Sequence, residues 1–151
     1  FQRVNRTKIR IPGIELSGKW RPRPDIRLRA QHTILAARVE AAGTPATAAE
    51  DRPDYLSHLG LHWRPTTGPG ALLTAEVTGP RWSADATAPD GLTRLPAGVV
   101  WGLRLHWRFR PTAGDLELHA RIDNLADQAV ADQVGLPRPG RTYSAGAAWR
   151  W

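Results

Sequence analysis

The chain has 151 residues, the size of one domain, and a mean hydropathy of −0.42. No stretch of it approaches the roughly 18–20 apolar residues that a transmembrane helix needs, and this does not exclude a membrane β-barrel, whose strands alternate apolar and polar residues. The formal net charge of +7 and the pI near 11.1 indicate nucleic acid or an anionic surface as partner. The lack of cysteine is compatible with an oxidising compartment but does not require one.

Apolar and polar residues alternate along much of the chain, and this period of two predicts β-strands. The predicted strands cover residues 11–21, 26–34, 55–65, 71–78, 99–109, 116–123 and 143–151. Residues 1–10 are predicted to be loop, and residues 38–53 and 79–98 to be long loops. The alanine-rich stretch 34–42 leaves a helix as a rival prediction. The sequence therefore predicts an all-β chain of about seven strands.

The connections between these strands alternate in length. Turns of about five residues, rich in proline and glycine, alternate with loops of roughly 15–20 residues. Barrels that cross bacterial outer membranes have short turns at one end and long loops at the other. Soluble β-sandwiches have no reason to alternate connection length in this way. We therefore expect an antiparallel, up-and-down segment of a transmembrane β-barrel.

Seven tryptophans and the arrangement of the arginines support this interpretation. Trp20, Trp63 and Trp107 each precede a short turn on the apolar side of a strand, as an interfacial aromatic girdle requires. The opposite side of the strands is cationic, and in a barrel it faces the lumen. The predicted lumen-facing residues are Arg104, His106, Arg108 and Arg121.

A basic all-β protein that binds nucleic acid or an acidic polysaccharide is the alternative from another class. Such a protein needs its aromatic rings beside its arginines, so that bases stack next to neutralised phosphates. Here the tryptophans and arginines fall on opposite sides of the predicted strands, so no nucleic acid is expected as a partner.

No motif in the sequence indicates catalysis, and we expect neither an enzyme nor a bound cofactor. His58 and His62 would share a strand face about 13 Å apart, which is too far for one metal ion. There is no glycine-rich phosphate loop and no nucleophile elbow. Asp123 and Asp127 flank Asn124-Leu125 at a strand end, where turn formation explains them better than acid–base chemistry.

The C-terminal run, residues 120–151, contains the most specific pattern. A strand leads into Asn124-Leu125 with Asp127 close behind, and a loop then closes on Pro139-Gly140-Arg141. The last segment alternates and carries Trp149 and Trp151 on its apolar side. This run resembles the end of a TonB-dependent outer-membrane receptor, in which the same elements occur in the same order. The resemblance is strong over residues 95–151 and looser before them.

The resemblance implies that residues 1–151 are the C-terminal part of a barrel of about 22 strands in the bacterial outer membrane. It implies energy-coupled uptake of a scarce ligand such as a ferric siderophore or a corrinoid. The partners implied are the remaining barrel strands, a plug domain outside this chain, outer-membrane lipid and the TonB energy-coupling complex. A passive porin-type barrel shares every physical feature of the strands and stays open as an alternative.

Overall fold

A computed structural model of the protein describes residues 7–41, 43, 45–66, 68–109 and 114–151, except for the side chain of Thr7. All regular secondary structure in these residues is β-strand, and no helix among them has the length and apolarity to cross a membrane. The strands, in chain order, are β1 Thr7–Arg10, β2 Gly13–Arg23, β3 Ile26–Leu35, β4 Arg38–Ala41, β5 Thr47–Ala48, β6 Tyr55–Trp63, β7 Pro69–Thr78, β8 Arg81–Ala84, β9 Leu92–Leu95, β10 Gly98–Phe109, β11 Asp115–Asp123, β12 Ala131–Gln133, β13 Leu136–Pro137 and β14 Thr142–Arg150.

Seven long strands form the main sheet. Its order is β14-β11-β10-β7-β6-β3-β2, and each strand pairs antiparallel with the next long strand in the sequence. The prediction of an all-β, antiparallel, up-and-down chain with seven strands is confirmed. The sheet is open, with β2 and β14 at its two edges.

The pairing register places all the predicted apolar sides on one face. Directly opposed residues of an antiparallel pair project to the same side of a sheet. One row that crosses all seven strands consists of Trp20, Leu28, Leu61, Leu73, Leu103, Ile122 and Tyr143. A neighbouring row on the other side consists of Arg27, His62, Leu72, Arg104, Arg121 and Ser144. We call the two sides the apolar face and the polar face.

Connections of two kinds lie at opposite ends of the main sheet. Residues 24–25, 64–68 and 110–114 join neighbouring strands at one end, which we call the turn end. Residues 36–54, 79–97 and 124–141 join them at the other, which we call the loop end. Residues 111–113 of the predicted turn 111–115 and residues 1–6 of the predicted loop 1–10 lie outside the described residues.

The long loops contain short strands that the sequence pattern did not indicate. β1 pairs with β4, β4 with β5, β8 with β9, and β12 with β13. Irregular structure was predicted for residues 7–10, and this prediction is wrong because Thr7–Arg10 is a strand. The helix considered for residues 34–42 is wrong as well, since β3 and β4 occupy most of that stretch. Strands of two to four residues are too short to show a period, and only their partners in space fix them.

Burial is concentrated at the loop end, and among the described residues of the apolar face only Ala75 is buried. Among the described residues only Ala49, Ala75 and Val130 are buried apolar side chains. The buried polar residues Thr78, Arg81, Ser83 and Asn124 all lie in or next to the long loops. The apolar face, in contrast, leaves large side chains such as Trp20, 65% exposed, without cover.

Candidate functional surfaces of the sheet

Four tryptophans lie at staggered positions on alternate strands of the apolar face. Relative to the row that contains Trp20, Trp63 lies two residues closer to the turn end on β6. Trp107 lies four residues closer on β10. On β14 the row contains Tyr143, so Trp149 lies six residues closer to the turn end. The stagger is therefore one residue for each step from strand to strand.

This constant stagger defines a tilt. One residue rises about 3.4 Å along a strand, and neighbouring strands are about 4.8 Å apart. The line through the four tryptophans therefore makes an angle of about 35° with the rows of directly opposed residues. Barrel strands tilt by roughly 35–45° from the barrel axis. If the strands tilt by the same angle, all four indole rings lie at one height. The sequence alone placed Trp20, Trp63 and Trp107 near turns, and the register adds that they lie on one straight line across the sheet.

A second aromatic level lies nearer the loop end. Trp101 and Tyr143 each precede a tryptophan of the first level by six residues on the same strand face, and Tyr55 precedes Trp63 by eight. With the tilt, the two levels are roughly 17–22 Å apart, close to the roughly 25 Å apolar band of outer-membrane barrels. The sequence interpretation missed this level, although the six-residue spacing between aromatics on strands 99–109 and 143–151 is visible there.

The aromatic residues at the turn end have defined contacts. The rings of Trp107 and Phe109 stack with centroids 4.8 Å apart and planes 20° apart. The Trp63 indole Nε1 donates a hydrogen bond to Asp25 Oδ2 at 3.2 Å, across the neighbouring turn. Trp63, Trp107 and Trp149 stay between 41% and 45% exposed. Trp151 was predicted to end the last strand, but β14 stops at Arg150 and Trp151 is 99% exposed.

One polar pair interrupts the apolar face near the second aromatic level. His32 Nδ1 lies 2.7 Å from Ser57 Oγ, directly across the β3–β6 pair. The Tyr55 ring lies 6.0 Å from the His32 ring. The two polar groups satisfy each other, which lowers the cost of placing them among apolar neighbours.

The polar face forms a cationic hollow toward the turn end. Its volume is about 980 Å³. Its lining residues include His62, Arg64, Arg104, His106, Arg108, Glu117, His119 and Arg121. The four predicted lumen-facing residues therefore come together in one place, in the company of two further histidines and Arg64.

Glycines on the polar face leave room for imidazole rings, which line part of the hollow. A Cβ at Gly70 would collide with the His106 ring, and one at Gly146 would collide with the His119 ring. His106 and His119 are directly opposite each other on β10 and β11, and the His62 and His106 rings are 6.0 Å apart. Two ion pairs border the hollow, Arg108–Glu117 at 3.0 Å and Arg121–Asp123 at 2.7 Å.

The C-terminal motif residues form one hydrogen-bonded bracket across loop 124–141. Asn124 has a left-handed backbone (φ 51°), and its Oδ1 accepts the Gln128 N–H at 2.9 Å. Its Nδ2 donates to the carbonyls of Gln128 (2.9 Å) and Pro139 (3.3 Å). These bonds tie the start of the loop to its end, whereas the sequence analysis assigned a turn-forming role to Asp123 and Asp127.

Asp127 completes the bracket from the other side. It also has a left-handed backbone (φ 53°), and its Oδ1 accepts the Arg141 backbone N–H at 2.7 Å. Gly140 is packed against that carboxylate, because a Cβ there would lie 2.9 Å from Asp127 Oδ1. The Leu125 N–H donates to the Trp101 carbonyl at 2.8 Å and joins the bracket to β10. A hydrogen bond and the attraction to Tyr143 raise the pKa of the Arg141 guanidinium, and Asp127 adds to this.

A chain of charged groups links the long loops to the sheet. The Arg81 guanidinium, 7% exposed, donates to the Ala131 carbonyl and pairs with Asp132 at 3.2 Å. Arg138 bridges Asp132 (2.9 Å) and Glu76 on β7 (2.6 Å). The hydrogen bond to Glu76, opposed by partial burial, raises the pKa of Arg138 above its ordinary value.

Further bonds extend this network to the third loop. Ser83 Oγ accepts the Val134 N–H at 3.1 Å, and Gln133 donates to Asp51 Oδ2 at 3.0 Å. The Asp51 N–H in turn donates to the Trp82 carbonyl at 2.7 Å. Loops 36–54, 79–97 and 124–141 are thus fastened to one another. None of these long-range pairs was indicated by the sequence.

The described residues contain no group of three or more His, Asp or Glu side chains placed to hold a metal ion. What the polar face can do chemically is attract and orient anions through its guanidinium and imidazole groups. No protein-family model matches the chain, and a search of curated proteins found no match.

Proposed function

We propose that the chain is part of the wall of a transmembrane β-barrel in the bacterial outer membrane, within an energy-coupled receptor. The observation that carries the membrane part is the apolar face, on which the four tryptophans of the first aromatic level are aligned by a constant stagger of one residue per strand and a second group of aromatic residues lies nearer the loop end. An interfacial girdle needs rings at one height on tilted strands, and this register provides it.

The exposed apolar face supports the same proposal. Leu16, Trp20, Leu105, Trp107 and Trp149 project from it with between 44% and 65% of their surface exposed. Each square ångström of apolar surface in contact with water costs about 25 cal/mol, so a face of this size requires a cover. Lipid covers it without any further protein layer, and the described chain contains no helix that could do so.

The open edges support a barrel larger than seven strands. Every residue of β2 is exposed, and β14 has only one strand neighbour. Unpaired backbone groups cannot face lipid, because no water is there to bind them. Both edges therefore pair with further strands, and the sheet is one sector of a wider wall around a lumen lined by the polar face.

The receptor part rests on the resemblance of residues 120–151 to the end of TonB-dependent receptors. In this interpretation the barrel takes up a scarce ligand, such as a ferric siderophore or a corrinoid, in cooperation with a plug domain and the TonB energy-coupling complex. The bracket formed by Asn124 and Asp127 gives the motif a physical role, because it holds the last long loop above β10 and β14. A passive porin-type barrel is the alternative outcome.

Single-cysteine labelling in the full-length protein tests the membrane part. A lipid-soluble probe should label Leu103→Cys, and a water-soluble one should label Arg104→Cys through the lumen. Leu105→Cys and His106→Cys form a matched second pair two residues away on the same strand. If the lipid-soluble probe labelled Arg104→Cys and His106→Cys while the water-soluble probe labelled Leu103→Cys and Leu105→Cys, the proposed orientation of the two faces would be wrong.

Uptake measurements test the receptor part. Ligand accumulation by cells that express the full-length protein should cease when the inner-membrane proton gradient is collapsed. Passive flux through a porin would continue under the same treatment, and that result would select the alternative.

A further inference from the structure

The hairpin of β2 and β3 continues beyond the second aromatic level into β1 and β4. Gly13 is directly opposite Leu35 where the first ladder ends. Three residues further along both strands, Arg10 is directly opposite Arg38, so the register is the same in the second ladder. The four strands thus form one long hairpin that extends past the apolar face at the loop end.

The side of this hairpin that continues the apolar face changes from apolar to charged toward the loop end. Successive side chains of a strand alternate between its two sides, so the even-numbered residues of both strands share one side. Within β2 they include Ile14, Leu16 and Trp20. Within β1 and β4 they are Lys8, Arg10, Arg38 and Glu40. We call these last four residues the outward charged cluster.

The outward charged cluster has an excess of positive charge. Arg10 Nε pairs with Glu40 Oε2 at 3.2 Å, and the Arg10 side chain stays 60% exposed. Lys8 and Arg38 form no ion pair with any residue that the structure describes. Arg10 is directly opposite Arg38, and like charges in such positions destabilise a sheet. An anion bound between these side chains removes the repulsion.

The height of this cluster corresponds to the headgroup layer of a bilayer. Ile14 precedes Trp20 by six residues, which is also the spacing between the two aromatic levels on β10. The tilt therefore places Ile14 at the second aromatic level. Arg10 lies four residues beyond Ile14, which is roughly 11 Å in height. The headgroup layer extends roughly 5–8 Å beyond the hydrocarbon core, and long cationic side chains bend toward it.

We propose that Lys8, Arg10 and Arg38 bind the phosphomonoester headgroup of a membrane lipid in the leaflet at the loop end. This inference rests on the proposed barrel, in which the outward side of the long hairpin borders that leaflet. A phosphomonoester carries a charge of about −1.5 to −2 at pH 7, which matches the two cations that Glu40 leaves unneutralised. Its oxygens accept the paired N–H groups of an arginine. A free phosphate ion makes the same contacts, but only a lipid also covers Ile14, which is 63% exposed.

Lipid retention by the full-length protein provides the test. The protein is reconstituted in phosphatidylcholine nanodiscs with increasing amounts of phosphatidic acid, and native mass spectrometry counts the phosphatidic acid molecules that stay bound. In Lys8→Gln with Arg38→Gln, the mole fraction of phosphatidic acid at half-saturation should rise by about tenfold or more, because two cations at a charged lipid surface are lost. Lys8→Arg with Arg38→Lys keeps both charges and should keep the wild-type value.

The polar face of the same hairpin offers a matched control. Lys19 and Arg29 are directly opposite each other there, so Lys19→Gln with Arg29→Gln removes the same two charges from the other side. This double variant should bind phosphatidic acid like the wild type. Equal weakening in both double variants would overturn the inference, because general charge attraction would then explain the binding. An unchanged half-saturation in Lys8→Gln with Arg38→Gln would overturn it as well.

Two further measurements distinguish the remaining outcomes. Bound phosphatidic acid should stay in place when inorganic phosphate is added in excess, because its acyl chains hold it beside the cluster. Its complete displacement would show that the cluster binds the free ion and would overturn the lipid assignment. If the lipid-soluble probe labels Leu103→Cys but the cluster variants bind phosphatidic acid normally, only this inference is wrong. If Leu103→Cys is not reached from lipid, the barrel and the inference are overturned together.

Discussion

The side-chain amide of Asn124 donates a hydrogen bond to the carbonyl of Pro139, a residue fifteen positions further along the chain. This bond closes loop 124–141 across its base, and two bonds to Gln128 hold the Asn124 amide in place. Asn124 is 4% exposed, so water cannot replace these bonds. Asn124, which belongs to the C-terminal sequence motif, thus holds the two ends of loop 124–141 together.

Asn124→Ala should destabilise the protein by about 1–3 kcal/mol, because it removes the three hydrogen bonds of a buried side chain to the backbone of Gln128 and Pro139 and strains a left-handed position. Asn124→Gly is the matched control, since glycine tolerates the positive φ and isolates the loss of the hydrogen bonds. Both variants should make loop 124–141 more sensitive to protease in outer-membrane preparations. If Asn124→Gly is as resistant as the wild type, the hydrogen bonds do not hold the loop.

Arg81→Ala should loosen the long loops, because the buried Arg81 guanidinium joins β8 to Ala131 and Asp132. Loss of this charge-assisted link should cost about 2–3 kcal/mol in free energy of unfolding. The control is Arg94→Ala on the neighbouring strand, whose pair with Asp54 is 3.8 Å long and exposed on both sides. That change should cost less than about 0.5 kcal/mol. Denaturant unfolding and limited proteolysis of loop 79–97 measure the difference, and equal effects of the two variants would contradict the prediction.

Asp85 should make the turn at residues 85–91 sensitive to acid. Hydrogen bonds from the Thr87 hydroxyl (2.6 Å), the Thr93 hydroxyl (2.7 Å) and the Thr87 N–H (2.9 Å) lower its pKa from 3.8 to about 2. Because the folded-state pKa is lowered, the stabilisation is complete above about pH 4 and is lost as the pH falls through about 2. Hydrogen exchange at the Thr87 amide should increase over this range. In Asp85→Asn the same amide should show no such titration.

Replacement of tryptophans in the level near the turn end should reduce barrel assembly. Trp107→Asp places a charge at the membrane interface and removes the stacking on Phe109, so less heat-modifiable, protease-resistant barrel should appear in outer-membrane fractions. Trp107→Tyr keeps an interfacial ring and should assemble close to the wild-type amount. The same charge at an exposed loop position, Arg94→Asp, is the control for charge alone. Equal assembly of all three variants would argue against a girdle.

The C-terminal aromatics should contribute unequally to assembly. Trp149 lies within the β11–β14 ladder opposite Leu116, whereas Trp151 follows the last strand. Deletion of Trp151 or Trp151→Asp should lower the assembled amount, and Trp151→Phe should be tolerated because it keeps an interfacial ring. Trp149→Asp should be worse than Trp151→Asp, and the double change worse than either. Wild-type assembly of the doubly substituted protein would show that the C-terminus carries no assembly signal.

The seven long strands and their two faces could be predicted from the sequence. Alternation along strand 99–109 places Leu103 and Arg104 on opposite sides whatever the neighbouring strands do, because successive side chains of a strand always alternate. The proline- and glycine-rich turns could also be predicted, because the backbone preferences of these residues are local. The short strands could not be predicted, because two to four residues are too few to show a period; they are β1, β4, β5, β8, β9, β12 and β13.

The sequence by itself therefore determined the seven long strands and which side each of their residues faces, properties fixed by local backbone geometry. Only the tertiary structure decided how far each strand is shifted against the next, and hence that Trp20, Trp63, Trp107 and Trp149 lie on one tilted line. It also decided which charges meet. Glu76 pairs with Arg138, 62 residues away, and not with a strand arginine, so part of the polar face remains cationic. A short turn fixes the register within its own hairpin, whereas the register across the long loops and the long-range ion pairs depends on contacts between distant segments.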